Sequence, residues 1–120
     1  MAVGVVLKSG DESSLYVAAT YIATELARGR EVAVFVSGEA LLAFAGRGGR
    51  GQYGERMKAL RVHWLDLLKE AKALGLRVYL CETALRIYGV DPAEVDKDLV
   101  DGVDSMYSFL EQVEGTPVVF

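Results

Sequence analysis

The only cysteine of the chain, Cys81, stands in the stretch RVYLCETALRIYG (Arg77–Gly89), where an apolar run gives way to a different pattern. A thiol at a strand-to-helix junction lies beside the helix's unpaired N–H groups. Those groups and the helix dipole favour the thiolate, the nucleophilic form of the side chain. Arg47 and Arg50 would favour it further if their loop folds over the site, whereas the neighbouring Glu82 opposes it by like charge. A second reading is structural. Free cysteine is among the most buried residue types and packs like a small apolar group. Position alone leaves both readings open.

Other stretches carry polar groups in suggestive spacing. SGDES (Ser9–Ser13) follows the first apolar run, so it either cradles an anion on backbone amides or serves as a turn and helix cap, with Ser13 or Ser14 at the cap. GRGGRGQYG (Gly46–Gly54) holds five glycines in nine residues and reads as a mobile loop that is either a lid or a plain connection. It lacks the GxxxxGK[ST] pattern of a phosphate loop, and its glycines do not directly follow a strand as a dinucleotide fingerprint would. Two arginines in so short a loop rank RNA binding last. His63, next to Trp64, reads as a partly buried structural histidine near the edge of an apolar stripe. The acidic stretch DPAEVDKDLVDGVD lacks the glycine and glutamate positions of a calcium loop and reads as a solvated face. One cysteine and one histidine cannot build a zinc site, so no metal and no cofactor is expected.

The elements that must position these residues follow from periodicity. AVGVVLK (Ala2–Lys8), EVAVFVS (Glu31–Ser37) and LRVYLC (Leu76–Cys81) read as strands. Helical spacing runs from Ser13 to Arg28, with Gly29 at the C′ position. A short helix is expected in GEALLAFAG. A long one carries Met57, Leu60, Trp64, Leu67, Leu68, Ala71 and Leu74 on one stripe over nearly five turns. ETALRIYG reads as a short helix closed by Gly89. A brief strand near Asp101–Val103, a helix from Ser105 to about Val113 and a strand in TPVVF complete the chain. Strands separated by helices imply a parallel sheet covered on both faces, because parallel strands need crossover connections. The expectation is therefore an α/β protein, a single three-layer α/β/α domain spanning residues 1–120 with a mainly parallel sheet of about five strands. Ligands in such sheets bind beyond the C-terminal strand ends. Ser9–Glu12, Ser37-Gly38, the glycine-arginine loop and Cys81 all map to that edge.

Composition narrows the function classes. The chain is acidic at a net −4, with its bases clustered: residues 46–61 hold Arg47, Arg50, Arg56, Lys58 and Arg61 against Glu55 alone. From Asp91 onward eight acids face the single Lys97. Nucleic-acid affinity needs a broad cationic surface, so such a partner is not expected. No apolar run approaches a membrane span, and the N-terminal segment lacks the basic and apolar regions of a signal peptide, which points to the cytoplasm. The chain has no asparagine and only two glutamines, a depletion of thermolabile amides of the kind thermophile proteins carry.

Taken in order, KSGDESS, ELARGREVAVFVSGEAL, LLKEAKALGLRVYLCETALRIYGV and DLVDGVDSMYSFLEQV with a terminal strand resemble the DsrE/DsrF-like family over nearly the whole chain. The most telling part is a cysteine directly after the third strand, then a short helix, a glycine, an acidic turn and DGV. The resemblance implies flavodoxin-like layering and assembly into dimers, trimers or hexamers. It also implies sulfur relay, with a persulfide or thiosulfonate carried on the cysteine matching Cys81. This chain departs in having no second cysteine, so sulfur must pass to another protein's thiol or a small thiol. The expected site is Cys81, with Ser9, Gly10, Arg47, Arg50, Glu82 and Arg86 around a small anionic sulfur species. The alternative is a non-catalytic binding or regulatory subunit with a structural cysteine.

Overall fold

A computed structural model of the protein describes residues 1–48 and 51–120. Five parallel strands form one sheet: β1 (Val3–Leu7), β2 (Val32–Val36), β3 (Arg77–Cys81), β4 (Gly102–Asp104) and β5 (Val118–Val119), in the order β4-β3-β2-β1-β5. Helices α1 (Glu12–Ala27), α2 (Ala40–Phe44), α3 (Gly54–Ala59), α4 (Trp64–Lys72), α5 (Glu82–Ile87) and α6 (Met106–Glu111) make the crossovers.

Valine-rich β1 and β2 are central and bury both faces, which is why they read as unbroken apolar runs. Side-chain alternation sends Val5, Leu7, Val34, Val36, Val78 and Leu80 to one face. There they meet Leu15 and Ile22 of α1, Leu41 and Phe44 of α2, Trp64 and Leu68 of α4, and Leu85 of α5. The opposite face is thinner. Val6, Ala33 and Phe35 pack against Phe109 of α6 and the following Val113, with the Phe35 and Phe109 rings stacked at 5.0 Å. Gly4 is in this layer because a side chain there would collide with Val113.

Five local expectations change. The long helix is two helices: α3 ends at Ala59, Arg61 adopts φ +60, and α4 begins anew at Trp64. His63 is not inside a helix but caps α4, its Nδ1 accepting from Leu65 N at 3.3 Å. Leu60 and Leu74, counted on the stripe, are exposed. The cap of α1 is Asp11, whose carboxylate accepts from Ser14 N at 3.1 Å, in place of Ser13 or Ser14. The acidic stretch is more than a solvated face. Val95 and Leu99 within it are buried, and Asp91 with Glu94 forms a capping box around Pro92. Asp96 and Asp101 pair with Lys69 and Lys72 of α4, at 3.2 and 2.6 Å. Among the described residues no helix is long and apolar enough to cross a membrane.

Candidate functional site

Parallel strands deliver their loops to one edge, and the strand register fixes which residues meet there. Leu80 is opposite Val36 and Cys81 opposite Asp104, so Cys81 is flanked by the loop beginning at Ser37 and by the Asp104-Ser105 turn into α6. Cys81 closes β3 and is the N-cap residue of α5, with extended backbone and no capping bond from its side chain. The thiol is free and half-buried, packed against both hydrophobic clusters at the rim of the sheet. Glu82 and Arg86, on the same helix, are exposed.

The loop after β1 is closely tied. Lys8 N and Ser9 N both donate to Phe120 O, at 2.7 and 3.2 Å, so these amides are already used by the end of β5. Ser9 Oγ accepts from Asp11 N at 3.1 Å. With the Asp11 carboxylate also at the helix N-terminus, SGDES is a turn and cap. Gly10 and Gly38 let this loop approach the one after β2: a Cβ on Gly10 would lie 2.9 Å from Glu39 O, and one on Gly38 2.7 Å from Lys8 O. Between them Lys8, Ser9, Gly38, Glu39 and Tyr88 line an open cavity of about 330 Å³.

Arg47 is drawn elsewhere. Its Nη2 donates to Gly89 O at 2.6 Å and its Nε meets Glu94 Oε2 at 3.0 Å, so the residue grips the far end of the helix that Cys81 begins. Arg50 lies outside the described residues. The structure thus brings Ser9 together with Lys8 and Tyr88, and Arg47 together with Gly89 and Glu94, while Cys81 lines neither group. Lys8 and Tyr88 went unmarked in the sequence. Lys8 had a signal, as the first charged residue after a strand; Tyr88 had none.

A family model described as DsrE/DsrF-like matches residues 1–113 of the chain. No curated protein matches the sequence. Among solved structures, the crystal structure of the ychN protein from E. coli is similar over 100% of both chains, with a TM-score of 0.56 at 18% identity. At that identity the likeness speaks for the fold.

Proposed function

The chain belongs to the DsrE/DsrF-like family, and on that premise we propose that it is a sulfur carrier working through Cys81. The observation that carries this reading is a free, half-buried thiol where β3 gives way to α5, at the sheet edge that holds ligands in open parallel sheets. With thiosulfate as donor, the Cys81 thiolate attacks the sulfane sulfur. The sulfur–sulfur bond of thiosulfate breaks, sulfite leaves with the electron pair, and Cys81–S–S⁻ forms. An acceptor thiolate then attacks the outer sulfur, taking it as its own persulfide and returning Cys81 as thiolate. The acceptor is external, because the chain has no second cysteine. Arg86, exposed in the last turn of Cys81's own helix and outside every ion pair among the described residues, is the cation this reading assigns to the sulfur anion. Glu82, exposed next to Cys81, carries a like charge that opposes the thiolate.

A second reading rests on a different observation. Cys81 packs against both hydrophobic clusters, as a filler in a non-catalytic subunit would. Intact mass after incubation with thiosulfate or polysulfide separates the two. The carrier gains about one sulfur atom, loses it to added thiol, and gains nothing as Cys81→Ser. No gain in the parent protein, or a gain that persists in the variant, leaves the structural reading standing.

The thin face supports self-association. Met106, Tyr107 and Leu110 of α6 are exposed beside it. Light scattering is expected to report a dimer, trimer or hexamer; a monomer at micromolar concentration would remove this part of the reading.

A further inference from the structure

A cavity of about 260 Å³ lies between the first turn of α1 and α3, and Cys81 is not among the residues that line it. Glu12, Gln52, Glu55, Lys58 and His63 line it, with Gly51 and Gly54. Glu12 Oε2 is shut off from solvent and meets no hydrogen-bond donor among the described residues. Shielded carboxylate oxygens are costly without a partner, so such an atom marks a place where a donor or cation belongs. Room for the carboxylate comes from a missing side chain: a Cβ on Gly54 would collide with Oε2 and lie 2.8 Å from Oε1.

Lys58 and His63 supply donors opposite Glu12, and Glu55 adds a second carboxylate beside Lys58. His63 Nδ1 is taken by Leu65 N, so the N–H of the neutral ring is on Nε2, a donor. Among the described residues the exposed Lys58 pairs with Glu55 alone, in a solvent-facing contact at 3.5 Å. A metal ion does not fit, since the described residues contain no group of three ligating side chains. A simple ammonium ion would leave Lys58 and His63 Nε2–H without an acceptor from the ligand, and a simple anion would be repelled by Glu12 and Glu55. One ligand class satisfies both ends.

We propose that this cavity binds a small zwitterion of the amino-acid class, its ammonium on the Glu12 carboxylate and its carboxylate on Lys58 Nζ and His63 Nε2–H. The ammonium offsets the charge that Oε2 cannot share with water. Because the lining excludes Cys81, the site is independent of sulfur transfer.

His63 is the only histidine in the chain, so its ring protons give a single resolved reporter. Titrating the full chain with L-serine is expected to shift them saturably in the millimolar range. Ethanolamine, which lacks the carboxylate, and propionate, which lacks the ammonium, should bind at least tenfold more weakly. Lys58→Met should weaken L-serine about tenfold without weakening ethanolamine. Glu12→Gln, checked for an unchanged circular dichroism spectrum, should abolish the L-serine response, whereas Cys81→Ser should leave it intact. Absence of a saturable shift, an equal response to ethanolamine or propionate, or an undiminished response in Glu12→Gln overturns the proposal. If Glu12→Gln does not fold, the Lys58→Met comparison decides alone.

Discussion

Gly38 and Gly29 both adopt left-handed backbone, at φ +54 and +82, yet they differ in surroundings. A Cβ on Gly29 would meet open space, whereas one on Gly38 would press on the carbonyl of Lys8. Gly29→Ala should therefore cost only the left-handed penalty, about 1 kcal/mol. Gly38→Ala should cost that plus the displacement of the β1 loop, about 2–4 kcal/mol together. Urea midpoints of the two variants test the ranking, and equal losses would deny the interlock. Gly29 was legible in the sequence because it ends a periodic helix. Gly38 was not, since its constraint comes from a loop remote in sequence. Cys81 shows the same divide: its place at a strand end could be read from RVYLCET, but the company it keeps could not. Arg47 looked like an anion ligand because its loop is basic, and only the fold reveals Gly89 O and Glu94 as its partners.

The helical segment 54–72 shows how a periodic pattern can run across a break. Met57, Trp64, Leu68 and Ala71 all face the same core, so the stripe continues although the backbone does not. Nothing in the side chain of Arg61 announces φ +60, because arginine has no preference for that region. Arg61→Gly should relieve this strain and raise stability by roughly 0.5–1 kcal/mol, the net of left-handed strain against added unfolded-state entropy. Thermal unfolding should show a higher midpoint; a lower one would mean that the arginine side chain holds the break in place. Among the described residues the six-residue α6 is the only helix of its layer, with Phe109 fully buried against the sheet. Phe109→Ala should cost about 3–5 kcal/mol, read from urea unfolding. Its strand-facing role was legible as a short amphipathic segment, but that it lies alone on its face was not.

Across the whole molecule, the acidic C-terminal third is held against the basic face of α4. Burial would raise the Asp101 carboxyl, but bonds from Lys72 Nζ and Val78 N outweigh it and hold the group below its ordinary value. Asp96 is likewise lowered, by the backbone of Asp98 and then by Lys69. A depressed folded value means that each carboxylate stabilises the fold above its unfolded value, about 3.9. That contribution is lost as pH falls through the folded value. Stability should therefore drop along an acid limb below about pH 4, and Asp101→Asn should flatten that limb while lowering the plateau at neutral pH. Urea unfolding from pH 7 to pH 2 checks this, and a limb unchanged in the variant would assign the acid sensitivity elsewhere. The layered α/β architecture could be read from alternating strand and helix periods. The strand order could not, because periodicity says nothing of which parallel strands are neighbours.

That order has a kinetic side. Among the described residues every strand pairing is parallel, so no hairpin lets two strands meet through a short turn. β1 pairs with β2 across a single helix, but its other neighbour places Val118 beside Val5, from opposite ends of the chain. Closing so long a loop comes before any reward from the contact, which slows folding. A two-residue strand offers little in return. The sheet is therefore expected to grow outward from β1 and β2, with β5 docking late. Until it does, Val6 and its neighbours present an open strand edge. Disturbing Phe120 or Val118 should chiefly speed unfolding and leave the folding rate nearly unchanged.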